Sequence, residues 1–299
     1  MPNQHLTTER IQQMLESQSY IADRNITMAV FLALTLQKPL LIEGPAGVGK
    51  TEIAKVMARA LGTDLIRLQC YEGLDANAAL YEWNYQRQLL HVKLEEQSAK
   101  SVEEKEATIF SEKFLLKRPI LQAITHTQAP VLLLDELDRA DEEFESFFLE
   151  VLSEWQITIP EIGTIRATHI PAVVITSNRV RELSEAIRRR CLYLWIDYPS
   201  LEKELHIVRT KLPDINARLA EQICRFMQQV RTSSLALNLN KAPGVAETLD
   251  WARALYTLHY DCLTEDVVDD TLGVVFKSRE DIHAVRRQMR SILVGLEGA

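Results

Sequence analysis

The chain has 299 residues, 46% hydrophobic and 25% charged, which excludes a disordered or collagen-like polymer and allows one large domain plus a smaller one. Its formal net charge of -8 weighs against a surface built mainly for nucleic acid, although a ring can concentrate positive charge in its bore. Cys70, Cys191, Cys224 and Cys262 are scattered with no C-x-x-C pair, which favours reduced, mostly buried thiols of a cytosolic protein over a disulfide frame or a zinc site.

The first residues, Met1-Pro2-Asn3-Gln4-His5, have neither a basic start nor an apolar core, so no secretion signal is expected. The longest apolar stretch, Ala29 to Leu36, is too short to cross a bilayer. Pro39-Leu40-Leu41-Ile42-Glu43 then reads as a buried parallel strand. It runs into Gly44-Pro45-Ala46-Gly47-Val48-Gly49-Lys50-Thr51, and residues 52–61 have helical periodicity that stops at Gly62. Strand, G-x-x-x-x-G-K-[ST] loop and helix together form the context of a triphosphate site. Glycines let backbone N–H groups turn inward around phosphate oxygens, and the helix N-terminus adds positive partial charge. Lys50 is expected to reach the β- and γ-phosphates, and the Thr51 hydroxyl to coordinate Mg²⁺. The alternative is a plain glycine-rich turn with a surface lysine.

Four further strands are expected at 64–69, 131–134, 172–176 and 191–196, separated by helical patterns, the signature of a parallel sheet covered on both faces. Residues 73–113 stand outside that alternation. They hold Tyr81-Glu82-Trp83-Asn84-Tyr85 and a charged stretch with Glu95, Glu96, Lys100 and Glu103 to Glu106, read as an insertion in the helical layer with a solvated face. Residues 156–166 alternate apolar and polar around Pro160 and Gly163, which predicts a β-hairpin.

The 131–134 strand ends in Asp135-Glu136. At the carboxyl end of a sheet strand, Asp135 can hold hydrated Mg²⁺ and Glu136 can polarise a water for in-line attack; an exposed acidic turn is the alternative. A glutamate after the aspartate favours hydrolysis over transfer to a metabolite. Asn178, after the 172–176 strand, either senses the γ-phosphate or forms a turn. Arg188-Arg189-Arg190 is either a solvated charge run or the source of an arginine donated across a subunit boundary. Beyond Asp197-Tyr198-Pro199-Ser200 the pattern is helical only, which places a boundary between residues 1–199 and 200–299. Ser278-Arg279-Glu280-Asp281 resembles a capping box opening a last basic helix with Arg286, Arg287 and Arg290.

The loop at 44–51, Asp135-Glu136-Leu137-Asp138-Arg139-Ala140, the hairpin before Asn178 and Arg-Arg-Cys at 189–191 together resemble an AAA+ ATPase, in particular the MoxR branch, from about Ile21 to Leu293. Tyr71-Glu72-Gly73-Leu74, the 80–85 stretch and Pro243 to Trp251 look most like the CoxD-type subgroup, associated with maturing the molybdenum–copper centre of carbon monoxide dehydrogenase. The resemblance implies an α/β fold, a five-stranded parallel sheet between helices with a C-terminal all-helical lid. It assigns ATP to Gly44, Pro45, Ala46, Gly47, Val48, Gly49, Lys50, Thr51 and Glu52, and Mg²⁺ to Thr51 and Asp135. Glu136 becomes the catalytic base, Asn178 the first sensor and Arg190 the trans arginine finger, with Arg189 a close second.

Ile21 and Ala22, taken to precede the first helix, are the resemblance's suggestion for the adenine pocket. Gln69 either restrains Glu136 until a substrate binds or is a buried polar strand end. A second-sensor arginine is missing from Gly244-Val245-Ala246-Glu247, so either Lys241 or Arg253 substitutes or lid motion is weakly coupled to the γ-phosphate. The implied activity is Mg²⁺-dependent ATP hydrolysis by a cytoplasmic homo-oligomeric ring, a hexamer, without membrane insertion. Its implied output is chaperone-like remodelling of a client such as a molybdenum hydroxylase, with a partner carrying a von Willebrand factor A domain. A nucleic-acid motor or clamp-loader-like ATPase is the alternative, since Arg-Arg-Cys also resembles the clamp-loader motif. The acidic balance and the lack of a basic or aromatic stripe stand against it. No N-K-x-D guanine motif exists, because Asn240-Lys241 is followed by Ala242-Pro243.

Overall fold

A computed structural model describes residues 6–95 and 101–297. Helices α1 (Thr8–Ser17) and α2 (Arg24–Leu36) come first, and β1 (Leu40–Glu43) then runs into the glycine loop. After it follow α3 (Lys50–Leu61), β2 (Leu65–Gln69), α4 (Ala76–Leu80), β3 (Tyr81–Trp83), α5 (Tyr85–Leu94), α6 (Val102–Ile109), β4 (Leu115–Lys117) and α7 (Pro119–Ile124). Next come β5 (Val131–Asp135), a 3₁₀ turn (Leu137–Arg139), α8 (Glu142–Glu154), β6 (Gln156–Ile159), β7 (Gly163–Arg166), β8 (Ala172–Ser177), α9 (Glu185–Arg190) and β9 (Leu192–Trp195). The C-terminal part is helical throughout: α10 (Leu201–Lys211), α11 (Ala217–Thr232), α12 (Ser234–Leu237), α13 (Val245–Thr257), α14 (Glu265–Val275) and α15 (Arg279–Glu297).

Five strands form one parallel sheet in the order β2-β5-β8-β1-β9. Of the four later strands, β2, β5 and β8 differ from their expected spans by one residue at one end, and β9 by one residue at each end. Strands β1 and β5 are buried along their whole length, which is why they read as unbroken apolar runs rather than alternating ones. The registers Gln69↔Asp135 and Glu43↔Ser177 bring four polar strand ends to the sheet's carboxyl edge, where open α/β sheets bind ligands.

Compact packing divides the chain into two units. One holds Arg24–Glu43 and Thr51–Leu194 together with residues up to Gln12; the other holds Gln13–Asp23, Gly44–Lys50 and the chain from Trp195 onward. The first has its core under the sheet, with Phe144, Phe148, Ile120 and Leu134 among its buried side chains. In the second, Phe226 packs on Trp251 with ring centroids 5.1 Å apart, and the Trp251 indole donates to Thr271 Oγ1 at 2.8 Å. That core also contains an ion pair. Arg231 donates to both carboxylate oxygens of Glu204, at 2.6 and 2.7 Å, and its Nε donates to the Pro243 carbonyl.

The insertion holds helices α4, α5 and α6 but is not helical alone. It carries an antiparallel pair, Tyr81↔Lys117 and Trp83↔Leu115, whose second strand lies past the expected end at 113. The pair is held by packing: Trp83 meets Phe110 edge-on at 5.4 Å, and Phe114 is buried. Glu96 and Lys100 of the charged stretch lie outside the described residues. The 156–166 hairpin is antiparallel, with Thr158 and Thr164 paired across it at 3.0 Å. At the start of α15, Ser278 Oγ accepts the Asp281 N–H as the capping pattern predicts, while Asp281 accepts the N–H of Asn240. Among the described residues no helix is long and apolar enough to cross a membrane.

Candidate nucleotide site and its carboxylates

The glycine loop needs its glycines. Gly44, Gly47 and Gly49 have φ of +153°, +80° and +95°, where a side chain is strained. A Cβ on Gly44 would lie 1.9 Å from the Ile196 carbonyl oxygen. Lys50 is buried, and its ammonium donates to the carbonyls of Gly44 and Pro45, both at 2.7 Å, which satisfies a charge otherwise costly to desolvate.

Asp135 is 3% exposed and is shared between neighbours. Its Oδ1 accepts from Thr51 Oγ1 at 2.9 Å and from Thr176 Oγ1 at 2.6 Å, and its Oδ2 accepts from Arg67 Nη2 at 2.6 Å. The oxygens of Thr51 and Asp135 thus meet although 84 residues separate them in sequence. Both are hard donors of the kind Mg²⁺ prefers, so the chain's own residues fit that cation.

The backbone turns sharply at Glu136, whose φ of +58° is left-handed. Its N–H donates to Thr176 Oγ1 at 2.9 Å, so one threonine hydroxyl braces both acids. The Glu136 carboxylate accepts from Asn178 Nδ2 at 2.9 Å and Gln69 Nε2 at 3.2 Å, and pairs with Arg139 Nε at 3.0 Å. Asp138, 2% exposed, accepts the backbone N–H groups of Asn178 and Val180 and so fixes the turn that presents the asparagine. Behind the loop, the buried Glu43 accepts the Tyr193 hydroxyl at 3.0 Å and faces Arg179 Nε at 3.7 Å.

The expected residues divide by where they fall. Thr51, Asp135, Glu136 and Asn178 are joined by hydrogen bonds directly or through Thr176. Gln69 is exposed, not a buried strand end, because β2 is the outer strand of the sheet, and its amide reaches Glu136. Glu52 pairs with Lys55 and Arg59 along α3. Arg189 pairs with Glu185, and Arg190 Nη1 donates to the Ala186 carbonyl at 3.4 Å, both within α9 and both exposed. Ile21 and Ala22 lie in the link between α1 and α2, not ahead of the first helix, because residues 8–17 are already helical.

At the position lacking a second-sensor arginine, the start of α13 meets the phosphate loop through backbone. Ala246 N–H donates to the Gly47 carbonyl at 3.1 Å, and a Cβ on Gly244 would lie 2.7 Å from Gly47 Cα. Lys241 faces Glu247 at 3.7 Å, and Glu247 in turn accepts the Gly244 N–H; Arg253 faces Asp250 further along the helix.

Sequence reading missed Arg67, Thr176 as a brace, and Asp138. Arg67 and Gln69 alternate onto one face of a strand, a signal that was present; the partners of Thr176 and Asp138 depend on long-range register.

Cys70, Cys191 and Cys224 are not activated nucleophiles. Burial pushes Cys70, Cys191 and Cys224 up to about 12, and for Cys70 the charges of Asp135, Asp138 and Glu136 add to the effect. Among the described residues no group of three or more His, Cys, Asp or Glu side chains could hold a metal ion.

Residues 39–191 match the AAA domain (dynein-related subfamily). The gas vesicle ATPase GvpN of Haloferax mediterranei is 23% identical over 282 residues, covering 89% of this chain and 76% of its own. An uncharacterized protein of Staphylococcus haemolyticus is 23% identical over 227 residues, covering 74% of this chain and 79% of its own. A RuvB mutant from Thermotoga maritima shares the fold, with a TM-score of 0.51 at 18% identity over 95% of this chain and 80% of its own. With the glycine loop, the paired acids and the 2-5-8-1-9 sheet in place, the chain belongs to the AAA domain family, dynein-related subfamily, and is an ATPase.

Proposed function

We propose that this chain hydrolyses ATP with Mg²⁺ in a ring-shaped homo-oligomer, a hexamer, and that the cycle remodels a client protein. The observation that carries the hydrolytic half is the bonded cluster Thr51–Asp135–Thr176–Glu136–Asn178. Mg²⁺ held by Asp135 and Thr51 supplies neutralisation of phosphate charge. Lys50 binds the β- and γ-phosphates. Glu136 takes the proton from the water that attacks the γ-phosphorus, and Asn178 keeps its carboxylate aimed at that water. The ATPase named in the Haloferax relative supports ATP as the nucleotide.

Arg190, exposed at the end of α9, serves the site of a neighbouring copy, with Arg189 as its alternate. The 156–166 hairpin and the insertion carry the motion to the client. The MoxR branch, the CoxD-type subgroup, a molybdenum hydroxylase as client and a von Willebrand factor A partner are read from sequence resemblance. The free cysteines support a reducing compartment, the cytoplasm.

The test is complementation between two inactive proteins. Glu136→Gln and Arg190→Ala should each lose ATP turnover, and mixing them should restore part of it, because some junctions then combine an intact Glu136 with an intact Arg190. No recovery at any mixing ratio means that each site is self-contained.

A further inference from the structure

Arg67 brings a positive charge into the acid cluster from the outer strand of the sheet. Successive strand residues point to opposite faces, so Arg67 and Gln69 share one face of β2, and the β2–β5 register sets Gln69 level with Asp135. Arg67 Nη2 donates to Asp135 Oδ2 at 2.6 Å and also to Gln69 Oε1. Gln69 Nε2 donates to Glu136 Oε2 at 3.2 Å and to the Asp135 carbonyl at 3.4 Å. A carboxamide accepts at one end and donates at the other. With its oxygen taken by Arg67, Gln69 must turn its N–H groups toward Glu136.

We propose that Arg67 is a cation-sensitive latch on the catalytic glutamate. It holds the Asp135 oxygen that Thr51 and Thr176 leave open, and through Gln69 it keeps Glu136 restrained. Two cations compete for one buried carboxylate. When a divalent ion takes Asp135, the guanidinium is repelled and leaves toward solvent, and its side chain is already 48% exposed. Gln69 then loses the bond that orients it, and Glu136 is freed of its Gln69 restraint while Asn178 and Arg139 keep their hold on its carboxylate. The order matters: the base is freed after metal arrives, which suppresses idle chemistry in a site without its cation. Arg67 is a positioning residue here, since it acts on Glu136 through Gln69.

The latch rests on Asp135 being the metal carboxylate, and the experiment separates the two ideas. Mn²⁺ binding in the presence of ADP is titrated by the electron paramagnetic resonance of free Mn²⁺, with no turnover required. Loss of one charge-assisted competitor should lower half-saturating Mn²⁺ for Arg67→Ala roughly three- to tenfold, with Arg67→Lys in between. Asp135→Asn should weaken binding about tenfold or more. Unchanged or weaker Mn²⁺ binding by Arg67→Ala, alongside a weakened Asp135→Asn, overturns the latch and leaves the metal assignment standing. If Asp135→Asn binds Mn²⁺ like the unmodified protein, the metal assignment falls, and the latch with it.

Discussion

Thr176→Val removes one hydroxyl and keeps the side chain's shape, at a position that is 1% exposed. The hydroxyl accepts the Glu136 N–H at 2.9 Å and donates to Asp135 Oδ1 at 2.6 Å. Stranding the amide costs about 1–3 kcal/mol, and the lost bond to a carboxylate about 1.5–3 kcal/mol. Both hang on one atom, so the terms overlap and the expected loss is about 2–4 kcal/mol. For a unit of this size that corresponds to a melting midpoint lower by roughly 4–16 °C. Thr176→Ser keeps the hydroxyl and deletes a methyl, which costs about 1 kcal/mol. Calorimetry on the two variants therefore isolates the hydroxyl. ATP turnover should fall in the valine variant and persist in the serine one, because only valine frees both acids from their brace. A valine variant that melts with the serine variant and hydrolyses ATP equally well would refute the assignment of Thr176 as the joint between Asp135 and Glu136.

The helical unit offers a second test: Glu204→Gln leaves Arg231 buried without its counter-charge and should lower stability by about 3–5 kcal/mol, whereas Glu204→Leu with Arg231→Met should recover part of the loss in the same calorimetric scan. Buried thiols give a pH signature. The folded values near 12 for Cys70, Cys191 and Cys224 exceed the ordinary 9.0, so the fold favours the protonated form. The stability they contribute is complete below about pH 9 and is lost as pH rises toward 12. Denaturant midpoints measured between pH 8 and 11 should fall less steeply in Cys70→Ala, and identical slopes would contradict the reading.

What could be read before the fold was known follows from where the stabilising partners lie. The phosphate loop is local: its glycines, lysine and threonine sit within one turn, and the flanking strand and helix announce themselves by burial. The buried strands read at 131–134 and 172–176 were legible for the same reason, as was the hairpin, whose alternation reports one packed face. The strand pair of the insertion was not. Tyr81–Trp83 and Leu115–Lys117 are three residues each, too short for a period to register, and they are held by Trp83 against Phe110 rather than by an internal pattern. Arg67 carries no local signal of its own, since a charged residue in an outer strand is usually solvated. Its partner becomes visible only once the register sets β2 beside β5. Ile21 and Ala22 were misplaced because the helix at 8–17 went unread.

The meeting of Gly47 with the first turn of α13 has a consequence for sequence tolerance. In G-x-x-x-x-G-K-[ST] the fourth letter is free, and a saturation library scored on the motif alone would admit any residue there. In this chain a methyl at Gly47 would run into Glu247 Oε2 at 2.8 Å and Gly244 Cα at 3.1 Å. Mutational scanning should therefore find a third forbidden position in the loop, and a fourth at Gly244, far outside it in sequence. Variation permitted by phosphate chemistry is here withdrawn by the left-handed backbone of Gly47 together with the backbone of Gly244 packed against it.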